Sequence, residues 1–298
     1  QMCIRVSTMI APRIHAAGTW SSVSAYPSST DTGATIIHRL RCSTVGIVAW
    51  ATMIALLLAA AALAGWVDAV IGGGGLILIP VLMAGTPLPG AAVLATNKVA
   101  SVSGTASAAF TMVRRVGVPR RTWAYALIAG ALSAGGALLA SLISDALIRP
   151  LILTLLVAVG IFVAFKPEFG THESEPIVTR ARLAGGVCLA AAVGFYDGAF
   201  GPGTGMFLIM GFTALFAQNF LRSAAMAKVV NTATNLGALG VFIAAEYVNW
   251  PLALSLAAAN IVGAQIGART VLGGGAKLVR YAMLTLVVVL TVYLALDL

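Results

Sequence analysis

Residues 194–205 read GFYDGAFGPGTG, and they interrupt a long apolar segment with one acid, one proline and five glycines. A similar stretch, GWVDAVIGGGG, occupies residues 65–75. In both copies a glycine cluster begins four residues after an aspartate, which is Asp68 in the first copy and Asp197 in the second. Helix-breaking residues inside an apolar segment are tolerated where other protein or water satisfies the freed backbone groups. A broken helix that occurs once in each half of a chain therefore predicts a binding site near the middle of a membrane.

The composition around these stretches is that of a membrane protein. Of 298 residues, 60% are hydrophobic and only 9% are charged, and the mean hydropathy is +0.99. A soluble domain carries about a quarter charged residues. The apolar runs lack the alternation of a transmembrane strand and are long enough for helices. We therefore predict an all-α polytopic membrane protein that contacts the lipid bilayer.

The charge and the cysteines exclude other classes. The formal net charge of +9 could suggest nucleic acid, but the basic residues lie mostly between apolar runs, where the preference of basic loops for the cytoplasm accounts for them. We therefore predict no nucleic-acid partner. Cys3, Cys42 and Cys188 are odd in number and widely spaced, which argues against a disulfide framework or a metal site. We predict no metal and no cofactor.

The chain divides into two repeats that flank a polar linker. We predict a disordered tail over residues 1–44, a first transmembrane repeat over 45–165, a linker over 166–182 and a second repeat over 183–298. Each repeat has about four to five apolar segments, with residues 250–272 and 278–296 as separate segments at the end. Matching positions extend well beyond the opening motif: Lys98 with Lys228, Gly136 with Gly267, and Arg149 with Arg280. Such internal repeats decide the architecture.

Loop charges favour an inverted relation between the repeats. The loop after the third segment of the first repeat carries Arg114, Arg115, Arg120 and Arg121, whereas its counterpart in the second repeat carries Glu246 and no base. At the next turn the bias reverses, with Asp145 and Arg149 in the first repeat against Arg269, Lys277 and Arg280 in the second. Because basic loops prefer the cytoplasm, the repeats are expected to face opposite ways. The arginines of the tail disagree with this orientation.

Four ionisable residues lie within apolar segments, where charges are costly and are functional candidates by default. They are Asp68, Lys98, Asp197 and Lys228. Each lysine shares a helical face with polar residues three and seven positions later. The two polar sets are Lys98, Ser101 and Thr105, preceded by Asn97, in the first repeat, and Lys228, Asn231 and Asn235 in the second. Two such faces that meet would form a pocket with two cations and many donors, which suits an anion.

The glycine breaks support the same interpretation. A half-helix that begins after a break directs its backbone N–H groups and its positive dipole end at the break, and glycine lets an anion approach the backbone. The candidate anion-binding residues of the breaks are Gly72, Gly74, Gly201, Gly203 and Thr204. The aspartates would balance the lysine charges in the empty site or carry a coupling proton.

Structural explanations stay open for the same residues. A lysine near a helix end can snorkel to the membrane interface, and an Asp–Lys pair can be purely structural. Polar faces often join helices without binding a substrate, and glycine-rich spans can serve packing alone.

The doubled Gly-x-x-Asp-x-x-x-Gly-x-Gly pattern, followed about thirty residues later by a lysine and a polar face, resembles the TauE/SafE sulfite exporter family. The resemblance covers about residues 45–298. It implies a multi-pass carrier of the inner membrane for sulfite, sulfonates such as taurine or sulfoacetate, or related sulfur oxyanions. The first copy departs from the second in having Gly73 and Gly75 where the second has Pro202 and Thr204. The two half-sites are therefore not equivalent.

We therefore predict a secondary transporter of small sulfur-containing anions that works by alternating access, and not an enzyme. One alternative is an intramembrane aspartyl protease that uses Asp68 and Asp197, since paired carboxylates that share a proton can activate water. Another is a passive anion channel. The glycines of the first copy lack the Gly-Lys-Ser/Thr of a P-loop, so this motif offers no ATP site. The oligomeric state is left open, with a homodimer as the candidate assembly.

Overall fold

The computed structural model describes the backbone of residues 33–164 and 178–296, and the side chains within 50–159 and 178–273. All regular secondary structure in these ranges is helical. The nine described helices are α1 (Gly33–Ile71), α2 (Gly75–Gly85), α3 (Gly90–Val116), α4 (Arg121–Leu142), α5 (Asp145–Ala164), α6 (Arg180–Ala199), α7 (Thr204–Phe216), α8 (Phe220–Ala244) and α9 (Trp250–Leu296).

Four of the described helices have the length and the apolar composition of membrane spans. They are α1 from Trp50 to Ile71, α4, α8, and α9 from Trp250 to Gly273. The helices α2 and α7 are apolar but have only 11 and 13 residues, so at 1.5 Å per residue neither crosses a hydrocarbon core of about 30 Å. The prediction of an all-α polytopic membrane protein is therefore confirmed.

The two breaks end α1 and α6 at matching places. The first break, residues 72–74, turns at Gly72, whose φ of 82° belongs to the left-handed region that favours glycine. The second break, residues 200–203, has positive φ at Gly201 and Gly203 and contains Pro202, which has no N–H to donate to a helix. Each break is followed at once by a short helix, as the sequence motif predicts.

The end of the second half differs from the expected pattern. We predicted separate segments over residues 250–272 and 278–296, but the backbone of α9 is one helix from Trp250 to Leu296. The corresponding position of the first half breaks at Ile143 and Ser144, and α5 then carries Pro150 in its first turns. The second half has glycines at residues 273–275 instead. Glycine weakens a helix by about 1 kcal/mol but keeps its N–H, so the helix continues.

The predicted domain boundaries fall close to helix ends without matching them. Helix α1 begins at Gly33, within the segment predicted as a tail, while residues 1–32 lie outside the described residues. Helix α6 begins at Arg180, so the last three residues of the predicted linker are helical. Most of that linker, residues 165–177, also lies outside the description. The division into repeats stays a prediction.

From Leu57 onward the helices of the two halves pack against each other. Helix α4 of the first half lies against α6 and α8, and α9 of the second half lies against α3 and against the later part of α1. Small residues allow this close approach. A Cβ atom on Gly237 would lie 2.0 Å from the carbonyl oxygen of Gly130, and one on Gly263 would lie 1.8 Å from that of Ala62. The helices α3 and α8, which carry the two lysines, also touch each other.

Candidate functional site

Two buried ion pairs cross between the halves of the chain. The Nζ atom of Lys98 lies 2.7 Å from Oδ2 of Asp197 and also donates to the backbone oxygen of Asp197 at 2.7 Å. The Nζ atom of Lys228 lies 2.8 Å from Oδ2 of Asp68 and donates to the backbone oxygen of Asp68. The lysine side chains are 2% and 0% exposed. Each lysine therefore binds the aspartate of the other half.

The breaks make these contacts because they stop α1 and α6 beside α8 and α3. Asp68 and Asp197 lie in the last turns of their helices, where carbonyl groups run short of helical partners, although the carbonyl of Asp68 also accepts from the N–H of Gly72 at 2.7 Å. An ammonium group satisfies such a carbonyl and interacts favourably with the negative end of the helix dipole. Each lysine thus binds a carboxylate and the backbone of one helix end at the same time.

The two breaks also contact each other. A Cβ atom on Gly72 would lie 2.3 Å from the backbone carbon of Gly205, and the N–H of Met206 donates to the carbonyl of Gly72 at 3.3 Å. On the other side, a Cβ atom on Gly75 would lie 3.6 Å from the carbonyl oxygen of Gly201. The backbone of each break therefore lies against the first turn of the short helix of the other half.

The carboxylates also interact with the start of the short helix of their own half. The hydroxyl of Thr204 donates to Oδ1 of Asp197 at 2.7 Å. The backbone N–H of Gly74 donates to Oδ1 of Asp68 at a longer distance of 3.5 Å. A carboxylate at a helix N-terminus is stabilised by the dipole and by the free N–H groups. In this structure the aspartates of the protein stand where the breaks were predicted to hold an anion.

Most of the predicted site residues line one small cavity at this junction. They are Asp68, Gly72, Asn97, Lys98, Ser101, Asp197, Gly201, Thr204, Asn231 and Asn235, and the cavity is completed by Gly75 and Gly205. The space open to the centre of a water-sized sphere is about 10 Å³, which is room for about one water molecule. The lining is mostly polar, yet the cavity as it stands is too small for an anion of four or more heavy atoms.

The other predicted residues lie just outside the lining. Lys228 lies behind Asp68, to which it is bound. The hydroxyl of Thr105 donates back to the carbonyl of Ser101 within α3. Gly74 contacts Asp68 through its backbone, and a Cβ atom on Gly203 would lie 2.7 Å from a methyl carbon of Val159.

Sequence analysis did not select Gly75 and Gly205, although both belong to the opening motif. Their signal was their place at the start of the short helices, where close contact between the breaks requires small residues. Tyr196 precedes Asp197 in the second motif, and its role follows from the structure. Its hydroxyl donates to the carbonyl of Pro202 at 2.7 Å, so it satisfies a backbone group that the second break frees.

The amide side chains that line the cavity differ in whether their atoms have hydrogen-bond partners. The Asn235 amide donates to the carbonyl of Asn231 at 2.9 Å, which is a contact within α8. Asn97 is 4% exposed, and its amide oxygen has no hydrogen-bond partner among the described residues. A buried polar atom left without a partner costs about 1–3 kcal/mol, so the Asn97 oxygen is an unused acceptor at the cavity, and only the N–H groups of this amide can donate to an anion. No cluster of three or more metal-binding side chains occurs among the described residues.

Comparison with known proteins identifies the family and relatives of the chain. The family model for "Sulfite exporter TauE/SafE" matches residues 57–294, which include the crossed pairs and the cavity. The chain belongs to the TauE/SafE family. Its relatives include a "Probable membrane transporter protein ORF9" of Sinorhizobium sp, 34% identical over 247 residues that cover 82% of this chain and 93% of the relative.

Two further TauE/SafE relatives carry similar names. A "Probable membrane transporter protein" of Haemophilus influenzae is 32% identical over 246 residues, 82% of this chain and 95% of the relative. "Probable membrane transporter protein YfcA" of Escherichia coli K12 is 34% identical over 243 residues, which cover 80% of this chain and 87% of the relative. No solved structure matches the chain. The family and these relatives identify the protein as a multi-pass membrane transporter for a small molecule, not an enzyme.

Proposed function

We propose that this TauE/SafE protein is a secondary carrier for small sulfur-containing anions, sulfite or organosulfonates, in the cell (inner) membrane. The single observation that carries the proposal is the pair of crossed Lys–Asp contacts around one polar cavity. Lysines at membrane depth mark ion and substrate pathways. The proposed substrate-binding residues are Lys98 and Lys228, with the amides and hydroxyls beside them.

The donors of the cavity support an anion. An ammonium group makes hydrogen bonds to anionic oxygens that are shorter and stronger than those between neutral groups. The oxygens of a sulfite or sulfonate group can accept from Lys98, from the hydroxyls of Ser101 and Thr204, and from the amide of Asn97. Because each lysine is bound to a carboxylate in this structure, an anion binds by competing with the carboxylates or after the carboxylates are neutralised.

The contacts between the halves support alternating access. The cavity lies where α3 meets α8 and where the two breaks touch, so movement of one half against the other changes access to it. Transporters with broken helices in two related halves work by rocking one repeat against the other around a fixed site. The small volume of the cavity corresponds to a state closed around the ion pairs, and it has to open before an anion enters.

The choice of sulfur anions has a narrower basis. The family description names sulfite, and the lysines and amides suit any small oxyanion. A sulfonate carries one negative charge and three oxygens, so it can contact both halves at once. A homodimer remains our candidate assembly.

The test is flux in proteoliposomes. We expect uptake of sulfite and of methanesulfonate by the wild type that saturates with concentration, and loss of uptake in Lys98→Met and Lys228→Met. Arg115→Gln, which removes a basic side chain that is exposed at the end of α3, is the matched control. No flux of either anion through folded wild-type protein would refute the substrate class. Flux that stays linear with concentration and shows no exchange would favour the passive channel.

A further inference from the structure

The two crossed ion pairs are unequal in how strongly the second carboxylate oxygen of each aspartate is hydrogen-bonded. Asp197 is 2% exposed, and its two carboxylate oxygens bind Lys98 and the Thr204 hydroxyl, both at 2.7 Å. Asp68 is 16% exposed. Its Oδ2 binds Lys228 at 2.8 Å, whereas the partner of its Oδ1 among the described residues is the N–H of Gly74, at 3.5 Å. One oxygen of Asp68 is therefore weakly bound and lies at the cavity.

The sequence explains the inequality. Thr204 is the first residue of α7, seven positions after Asp197, and the first residue of α2, seven positions after Asp68, is Gly75. The first half therefore has no hydroxyl where the second half donates one to its carboxylate. Hydrogen bonds to a carboxylate favour its ionised form, and the second hydrogen bond of Asp68 is longer than that of Asp197, at 3.5 Å against 2.7 Å.

The charges around the cavity add to zero, with two lysines and two aspartates. The charged groups near Asp68 are Lys228 from α8 and, across the cavity, Lys98 from α3 and Asp197 from α6. Among the described residues, the other neighbouring helices contribute no charged group here: α2 contributes the backbone beside Gly74, and α7 contributes the backbone at Gly205. Helix α9 packs small residues, at positions 263 and 267, against α1. Adding an anion alone would leave the site with one uncompensated negative charge, which is costly in a membrane interior.

We propose that Asp68 is the proton-binding residue that couples transport, and that its protonation frees the Lys228 ammonium to bind the substrate anion. This inference rests on the proposed function. One proton from water binds a carboxylate oxygen of Asp68 and makes it neutral, while Lys228 keeps its own proton and its positive charge. One monovalent anion, such as a sulfonate or hydrogen sulfite, then restores the balance. The loaded site has the same charge as the empty one, so one proton moves with each anion and no net charge crosses the membrane.

The inequality between the pairs can be altered by one substitution. A Cβ atom on Gly75 has ordinary contacts, with its nearest neighbour a methyl carbon of Ile79 at 3.5 Å. Gly75→Thr therefore introduces at the start of α2 the residue that begins α7. We expect the new hydroxyl to donate to Asp68 and to move the pH of half-maximal transport about half a unit to one unit lower, because one hydrogen bond then favours the ionised carboxylate. Gly240→Thr, at a position with open space, is the matched control.

The first experiment measures proton uptake on binding and needs no transport. Purified protein in weak buffer is titrated with methanesulfonate while the pH is recorded. We expect about one proton to be taken up for each anion bound, and none in Asp68→Asn. Glu246→Gln, an exposed loop position, controls for charge removal. Equal proton uptake by Asp68→Asn and wild type would overturn the inference.

The second experiment uses proteoliposomes with an inward proton gradient. For each variant, methanesulfonate uptake with the gradient is divided by the exchange flux of the same variant without it. We expect a ratio well above one for wild type, insensitivity to an imposed membrane potential, and a ratio near one for Asp68→Asn. A wild-type ratio that follows the membrane potential, or a ratio lost in Asp197→Asn but kept in Asp68→Asn, would contradict the assignment. Absence of any wild-type flux would instead refute the proposed function itself.

Discussion

The crossed pairing of the lysines makes a quantitative prediction about stability. We consider Lys98→Met, which keeps the length of the side chain, together with neutralisation of either aspartate by Asn. If Lys98 binds Asp197, as the 2.7 Å contact indicates, then Lys98→Met/Asp197→Asn removes both members of one pair. Lys98→Met/Asp68→Asn removes one member of each pair and leaves Asp197 and Lys228 without partners.

The expected magnitude follows from the distance. Two unit charges 2.7 Å apart attract by about 6 kcal/mol at an effective dielectric constant of about 20. Removal of one member of a buried pair costs about 3–5 kcal/mol, because the other charge is left buried and uncompensated, whereas removal of both is often close to neutral. At about 2–4 °C per kcal/mol, each single variant should melt on the order of 10 °C below the wild type.

The assay is the thermal midpoint of purified protein in detergent, followed by intrinsic fluorescence or by loss of the monodisperse peak. We expect the Lys98→Met/Asp197→Asn double variant to melt well above Lys98→Met alone. The effects of Lys98→Met and Asp68→Asn should add, so that this double variant is the least stable. Additive effects in the first double variant, or recovery in the second, would refute the crossed pairing and indicate pairs within each half.

Further predictions concern the breaks, the helix contacts and the cavity. Gly72→Ala should lower the thermal midpoint strongly, because Gly72 has a φ of 82° and the new Cβ would lie 2.3 Å from the backbone at the start of α7. Gly240→Ala, at a position with open space, should not lower it, and equal melting of the two variants would contradict the described contact. Ser133→Ala should cost about 1 kcal/mol by losing the 2.7 Å hydrogen bond to the carbonyl of Thr234, measured as a small drop in midpoint with transport retained, and an unchanged midpoint would argue against that bond. Asn97→Ala should reduce methanesulfonate flux about tenfold or more, as expected for the loss of an amide N–H hydrogen bond to an anion. The midpoint should change little because the amide oxygen has no described partner, and a large loss of stability with normal flux would assign Asn97 a structural role.

The sequence singled out residues that the structure brings together, but it did not predict their pairing. Ionisable residues in apolar segments are so costly that their presence alone identified the four charged groups, and the glycine clusters identified the ends of α1 and α6. Which lysine meets which aspartate depends on how α3 packs beside α6 and α8 beside α1, and no local pattern contains that information. The crossing therefore emerged only from the structure.

The starts of the short helices α2 and α7 show a second limit of prediction from sequence. Sequence reasoning directed the N–H groups after each break at an external anion, because a helix start favours negative charge. In the structure the nearest negative charge is the aspartate of the same half, one turn before the break. The difference between Thr204 and Gly75 was visible in the aligned motifs, but its effect on the two carboxylates required the distances of 2.7 and 3.5 Å.

The continuous helix α9 shows how weak a glycine cluster is as a signal for a helix end. The glycines at residues 72–74 end a helix because Gly72 takes a positive φ where another backbone approaches. Those at residues 273–275 lie within the backbone helix Trp250–Leu296. Glycine permits a turn and does not impose one, so neighbouring contacts decide the outcome.

The crossed pairs also have a consequence for the biogenesis of the protein. Lys228 is made 160 residues after Asp68, which at about 5–20 residues per second is a delay of about 8–32 s. During that interval the rest of the first half is made and leaves the ribosome, while Asp68 has no partner until Lys228 is synthesised. We expect nascent chains arrested before Lys228 to remain beside the insertion machinery, detectable by crosslinking, and to enter the lipid only when the second half arrives. Neither half is then an independently inserting unit, and co-expressed halves should be stable only together.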